Sequence, residues 1–140
     1  MAGALSQFCQ IILISSALVA STLAGAQTGA NTTTQEKARF LVYFDEFSAF
    51  LSDEAKTIIA DAAKRARAAG ARRIVVQARA SATGRAETNK YLAQTRSSIV
   101  TDQLEADGIA RTIIQQEPIG QTGSNDPTVT ERRVDIIIEP

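Results

Sequence analysis

An arginine on a helix face that should be apolar is the strongest sign of chemistry in this 140-residue chain. Arg96 lies one helical turn from Leu92 and one turn from Val100, so the three side chains share a face. A cation directed at the interior is costly unless it is paired and hydrogen-bonded. Two interpretations follow. In the first, Arg96 bonds a carboxylate of the protein or the backbone carbonyls at a strand end. In the second, its planar guanidinium binds the carboxylate of a ligand.

A second arginine, Arg132, stands at the start of the last predicted strand. It is either an ordinary charge that protects a strand end or a second cation beside Arg96. The chain contains no histidine, and its only cysteine is Cys9, so the commonest acid–base group and a Cys–His nucleophile are both excluded. No phosphate loop or metal-binding cluster of recognisable spacing is present. The sequence therefore predicts a protein that is not an enzyme, with no catalytic residues, no cofactor and no metal site.

The charges indicate which partners to exclude. Lysine and arginine total 15, aspartate and glutamate total 15, and the basic residues are interleaved with acidic ones. A nucleic-acid-binding protein usually shows a basic stripe with interleaved aromatic residues, and aromatic residues are sparse here. We therefore predict that nucleic acid is not a partner.

The first 26 residues form a separate segment. Residues 8–26 are mostly apolar and end in the small residues Ala24-Gly25-Ala26, which is typical of a secretory signal peptide with its cleavage site. The lack of Lys or Arg in the leading residues leaves an uncleaved membrane anchor as the alternative, although serines interrupt the span. Any membrane contact is predicted only through such an uncleaved N-terminus. Residues 27–36 are polar and rich in threonine. This composition predicts a flexible linker before a domain over 37–140.

The domain that must position the arginines shows the order β-α-β-α-β-β. Strands are predicted over 39–44, 73–78, 112–117 and 133–139, and helices over 53–69 and 86–107, with a loop over 118–130. Ser52 caps the first helix and Gly70 ends it. The fold class is α+β, with two helices packed on one face of a four-stranded mixed sheet in a two-layer sandwich. The first strand is apolar on both faces, which predicts a position inside the sheet or covered on both sides, and Phe47, Phe50 and Leu51 should pack onto the core.

Several short pieces of the chain resemble one family in order and spacing. They are Val42-Tyr43-Phe44-Asp45, Ser52-Asp53-Glu54-Ala55, the strand and loop that end at Gly84, Asn89 with Leu92 and Arg96, Gly108-Ile109, and Arg132-Arg133-Val134-Asp135-Ile136. Together they are similar to the OmpA-like peptidoglycan-binding domain, over roughly residues 40–138. The resemblance implies the β-α-β-α-β-β sandwich, a location in the periplasm or in association with the outer membrane, and peptidoglycan as partner, with an envelope protein as a possible second partner.

The resemblance also implies the ligand-binding residues. Members of this family hold the diaminopimelate group of the peptidoglycan stem peptide, and their carboxylate-binding arginine falls on Arg96. The family's asparagine falls on Asn89, and the arginine before its last strand falls on Arg132. The family aspartate that would bind the ligand ammonium is Ser81 here, so the resemblance implies binding that is weakened or altered in preference. Arg79 would add a charge of the wrong sign for an ammonium, and Glu87 is a candidate replacement carboxylate. A structural or protein-interaction module that has lost peptidoglycan binding is the alternative.

Overall fold

The computed structural model of the chain describes residues 37–122 and 131–140. These residues form β1 (Ala38–Tyr43), α1 (Asp53–Ala69), β2 (Arg73–Ser81), α2 (Ala86–Ala106), a 3-10 turn (Arg111–Ile113), β3 (Ile114–Gln121) and β4 (Arg133–Glu139). The predicted signal or anchor over 1–26, the predicted linker over 27–36 and residues 123–130 of the predicted loop lie outside the described residues. Within the described part, no helix is long and apolar enough to cross a membrane.

The four strands form one mixed sheet in the order β1-β4-β2-β3. Strand β4 runs antiparallel to both of its neighbours, and β2 and β3 are parallel. One face of the sheet packs against both helices around a single apolar core, to which β4 contributes Val134, Ile136 and Ile138. The predicted two-layer α+β fold is therefore confirmed.

Helix α1 begins and ends at the residues that its sequence predicts. The Ser52 hydroxyl accepts a hydrogen bond from the Ala55 N–H at 3.1 Å, which satisfies one of the free donors of the first turn. Gly70 adopts a left-handed conformation with φ +60°, and its N–H bonds back to the carbonyl of Arg67. The buried side of α1 consists largely of alanines, which allow the helix to lie close to the sheet.

The prediction for β1 is wrong in one respect, because this strand lies at an edge of the sheet. Its inner residue Val42 is buried, whereas Tyr43, on the other face, is 43% exposed. Two-sided apolar character indicates a central strand only when both faces are covered. Among the described residues no helix or strand packs on the outer face, so the apolar residues of β1 that point outward border charged side chains instead.

Strand β3 also differs from its prediction. The residues 111–113 form a 3-10 turn, and the strand continues through Pro118 and Gly120 to Gln121, which were predicted to be loop. Proline is tolerated here because β3 is an edge strand, so one row of its backbone groups needs no partner. Gly120 has φ +78°, and a Cβ at this position would lie 3.1 Å from the Cα of Lys90. Its lack of a side chain therefore lets the end of β3 approach α2.

The loop between β1 and α1 is only partly anchored to the core. Leu51 is 7% exposed, as predicted, but Phe47 and Phe50 are each 75% exposed, so the prediction that they pack inward is wrong. Phe47 has a positive φ of 54°, an uncommon backbone conformation for a bulky residue. The hydrogen bonds that hold this loop explain its course, and they originate at Arg96.

Candidate functional site

The sheet topology brings three strand ends and one strand start to the same end of the domain. The residue pairs Tyr43–Arg133, Ala78–Val134 and Ser81–Gln121 place the carboxyl ends of β1, β2 and β3 beside the start of β4. The loops that leave this end meet the N-terminal half of α2. All four residues predicted to bind ligand, Ser81, Asn89, Arg96 and Arg132, lie on these elements.

Arg96 is the largest fully buried side chain among the described residues, with no exposed surface. Its Nε donates to the Ser48 carbonyl at 2.8 Å, and its Nη2 donates to the Asp45 carbonyl at 2.9 Å. Its Nη1 donates to the carbonyls of Arg79 at 3.1 Å and Ala80 at 3.0 Å. The guanidinium therefore joins the β1–α1 loop to the end of β2. This geometry corresponds to the interpretation in which Arg96 bonds backbone carbonyls at a strand end.

Within residues 37–122 and 131–140, the partners of Arg96 leave its charge without a neutralising carboxylate. All four acceptors are backbone carbonyls, and the Phe44 ring lies with its centroid 5.0 Å from the guanidinium carbon. Burial, and then repulsion from Arg132, lowers the pKa of Arg96 from its usual value to about 10. The side chain is still protonated at neutral pH, so a positive charge is fixed beneath this end of the sheet.

Arg132 is the second cation at this end, and it is partly buried. Its backbone carbonyl accepts from the Phe44 N–H at 2.9 Å, which ties it to the end of β1. Its Nε is buried and has no hydrogen-bond partner in the described part of the chain. A buried donor without a partner costs about 1–3 kcal/mol. The two arginines together therefore offer two positive charges and an unused donor, which is an arrangement suited to an anion.

Ser81 and Asn89 shape the loop between β2 and α2. The Ser81 hydroxyl accepts from the Thr83 N–H at 3.1 Å and lies 3.3 Å from the Thr83 hydroxyl. Asn89 is 3% exposed, and its Nδ2 donates to the Thr83 carbonyl at 2.8 Å. Both side chains therefore stabilise the loop itself. Glu87 lies exposed in the first turn of α2.

Sequence reasoning missed the ion-pair cluster that surrounds Asp135 on the outer face of the sheet. The Asp135 carboxylate is fully buried and bonds Arg79 at 3.1 Å and Arg133 at 2.8 Å, with Arg39 at 3.8 Å. Arg79, predicted as an unfavourable charge at the ligand site, is thus paired with a carboxylate on this face. The signal in the sequence was the strand alternation, because Arg79 and Asp135 fall on outward-facing positions of neighbouring strands.

Within the described residues, no three His, Cys, Asp or Glu side chains are grouped in a way that could hold a metal ion. The site is therefore defined by arginines, backbone carbonyls and loop hydroxyls. A comparison with protein families gives a match to the OmpA family over residues 43–134, which runs from the end of β1 to the start of β4 and includes every site residue. The chain belongs to the OmpA family. No curated protein sequence matches it significantly.

Solved structures of OmpA-like domains share the fold of this chain. The OmpA-like domain of FopA1 from Francisella tularensis is 18% identical with a TM-score of 0.66, over 74% of this chain and 73% of that one. The peptidoglycan-associated lipoprotein of Burkholderia pseudomallei is 20% identical with a TM-score of 0.63, over 80% of this chain and 98% of that one. The periplasmic domain of Helicobacter pylori MotB is 18% identical with a TM-score of 0.62, over 74% and 76%. At these identities the likeness shows the fold.

Proposed function

We propose that this OmpA-family domain is a non-enzymatic peptidoglycan-binding module of the cell envelope, with Arg132 as the residue that meets a carboxylate of the stem peptide. The observation that carries the proposal is the pair of arginines at one end of the sheet, of which Arg132 has a buried Nε donor without a hydrogen-bond partner in the described residues. Arginine is well suited to bidentate recognition of a carboxylate. The name of the Burkholderia relative, a peptidoglycan-associated lipoprotein, supports the choice of ligand.

In this proposal the other three residues act through position and charge. Arg96 has no exposed surface, so it contributes its positive charge and holds the loops on either side of the site. Asn89 and Ser81 fix the β2–α2 loop. The Ser81 hydroxyl is engaged by Thr83 and is neutral, so a ligand ammonium finds no charged partner at this position. The preferred group is therefore a carboxylate without a neighbouring amine, and binding of diaminopimelate is weak.

The location in the proposal is the periplasm, in association with the outer membrane. Residues 1–26 would serve as an export signal or as an uncleaved anchor, and residues 27–36 as a linker to the domain. Sequencing the N-terminus of the protein purified from its envelope fraction tests this part, because cleavage predicts a chain that starts at Gln27. A chain that starts at Met1 or Ala2 would favour the anchor.

The experiment for the ligand is co-sedimentation of the full chain with purified peptidoglycan. Arg132→Ala should reduce the bound fraction at least tenfold, whereas Arg65→Ala, which removes an exposed arginine of α1, should leave it unchanged. Pimelate and diaminopimelate differ only in their two amines, so they form a matched pair of competitors. Pimelate should displace the unchanged protein from peptidoglycan at least as well as diaminopimelate does. In the Ser81→Asp variant, diaminopimelate should be the better competitor.

A second candidate function is a structural or protein-interaction module that has lost the ligand. The buried position of Arg96 and the engagement of Ser81 with its own loop favour this alternative. It predicts no sedimentation with peptidoglycan for the unchanged chain and gain of sedimentation for Ser81→Asp. That outcome would replace the first proposal.

A further inference from the structure

The β1–α1 loop presents two phenyl rings to solvent on a strongly acidic segment. Phe47 and Phe50 are each 75% exposed, and Tyr43 at the end of β1 is 43% exposed. Large apolar side chains grouped at one place on a surface mark interaction sites more often than scattered ones do. We call this region the acidic aromatic surface, and define it by Tyr43, Asp45, Glu46, Phe47, Phe50 and Glu54.

The loop that carries this surface is held in place. Arg96 bonds the carbonyls of Asp45 and Ser48, on either side of Phe47. The Ser48 hydroxyl accepts from the Phe50 N–H at 3.0 Å, which fixes the loop backbone at Phe50. A bulky residue in a left-handed conformation, as at Phe47, costs about 1–3 kcal/mol and persists where surrounding bonds enforce it. The backbone that carries the two rings is therefore held in one conformation, which lowers the entropic cost of ordering this loop when a partner binds.

The charge of the surface decides the chemistry of its partner. Residues 43–55 contain four acidic residues and no basic one. Asp53 pairs with Lys56 at 3.7 Å, whereas Asp45, Glu46 and Glu54 are exposed and have no ion pair in the described part of the chain. Unpaired carboxylates beside apolar rings disfavour an anionic lipid surface and favour a cationic partner.

A small cleft adjoins the surface, between the end of β1 and the start of α1. It has a volume of about 80 Å³ and is lined by Tyr43, Ala55 and Ile58 together with Ser52 and Glu54. The side chains of lysine and arginine combine an apolar stem with a cationic head. Such a stem fits against the apolar residues of the cleft, and its head can meet the Glu54 carboxylate and the Tyr43 ring.

We propose that the acidic aromatic surface docks a protein partner through a segment in which lysine or arginine alternates with apolar residues, and that the cleft accepts one of the basic side chains. This surface adjoins the anion site at Arg132, because the Arg132 carbonyl accepts from the Phe44 N–H. The two proposals can still fail independently, because they call for ligand groups of opposite charge, and Arg132→Ala should not weaken this docking.

The test uses the full chain and three synthetic peptides of equal length and leucine content. The remaining positions carry lysine in the first peptide, glutamate in the second and serine in the third. Binding is followed by changes in the NMR chemical shifts of the protein. The lysine peptide should perturb the amides of Tyr43, Phe47 and Glu54. Its affinity should fall at least tenfold for the double variant Phe47→Ser with Phe50→Ser. Tyr91→Ser, which removes an aromatic residue that is 63% exposed outside this surface, is the matched control and should change nothing.

A second pair of variants separates site binding from general attraction to acidic protein. Glu54→Lys should lower the affinity for the lysine peptide at least tenfold. Asp61→Lys, an equal charge change at an exposed position of α1, should have little effect on that affinity. The proposal is overturned if both charge variants act equally or if the double phenylalanine variant binds normally. It is also overturned if the glutamate peptide, phosphatidylglycerol vesicles or a chitooligosaccharide bind this surface in preference to the lysine peptide.

Discussion

Replacement of Arg96 by methionine tests whether this residue holds the site together. The substitution keeps a long, flexible side chain but removes four hydrogen bonds to the carbonyls of Asp45, Ser48, Arg79 and Ala80. Hydrogen bonds to a charged group contribute about 1.5 kcal/mol each at the lower end of measured values, or about 6 kcal/mol for the four. Removing the buried charge also removes its desolvation cost, and this offsets part of the loss in unfolding free energy. Burial, and then repulsion from Arg132, lowers its pKa to about 10, which corresponds to roughly 3 kcal/mol at about 1.4 kcal/mol per pKa unit.

The expected net loss is therefore about 3 kcal/mol of unfolding free energy, a large share of the roughly 5–15 kcal/mol typical of a small domain. Urea unfolding followed by far-UV circular dichroism measures it. With a slope of about 1–3 kcal/mol per molar urea, the midpoint should fall by about 1–3 M. Arg65→Met on the exposed side of α1 is the control and should change stability by less than about 0.5 kcal/mol. An unchanged midpoint for Arg96→Met, with loss of peptidoglycan binding, would refute the structural role and make Arg96 a direct ligand contact.

Three further predictions concern residues that stabilise the domain. Asp135→Asn removes the buried carboxylate that pairs with both Arg79 and Arg133 and should cost about 3–5 kcal/mol in urea unfolding, because the two arginines lose this charged partner. Ser52→Ala should cost about 1 kcal/mol through loss of the helix cap, seen as a lower melting temperature. Hydrogen bonds from Lys37 and then Arg73 hold the pKa of Glu139 below its usual value. Its stabilisation is therefore complete above the usual pKa of a glutamate and is lost as the pH falls through the lowered pKa, and Glu139→Gln should remove this part of the acid dependence, measured by urea unfolding at a series of pH values.

The hydrophobic periodicity and the capping residues of the sequence were sufficient to predict most of the helices and strands. Alternation in 133–139 and the helical spacing in 86–107 placed both elements within a residue or two of their observed bounds. Capping chemistry did the same for α1, because Ser52 and Gly70 act through bonds to residues within one turn. Predictions based on local hydrogen bonds and periodicity succeeded because the structure that they describe is itself local.

The sequence was less informative about position within the sheet. The apolar residues on both faces of β1 suggested an interior strand, but strand order depends on pairing between residues about 100 positions apart, such as Phe40 with Ile136. Phe47 and Phe50 were predicted to pack inward from their hydrophobicity alone. Their exposure follows from Arg96, which holds the loop backbone on the inside and leaves the rings outside.

By itself, the sequence determined that Arg96 lies on the interior face of its helix and that no histidine is available to any site, and it predicted a ligand site formed around arginines. Only the tertiary structure decided what Arg96 holds. Its side chain could have met a carboxylate, a ligand or the backbone, and the choice depends on where the β1–α1 loop and the end of β2, which are distant in sequence, place their carbonyl groups. The structure supplies four such carbonyls around Arg96 and leaves Arg132 with the unused donor, because the end of β1 and the start of β4 meet beside the end of β2.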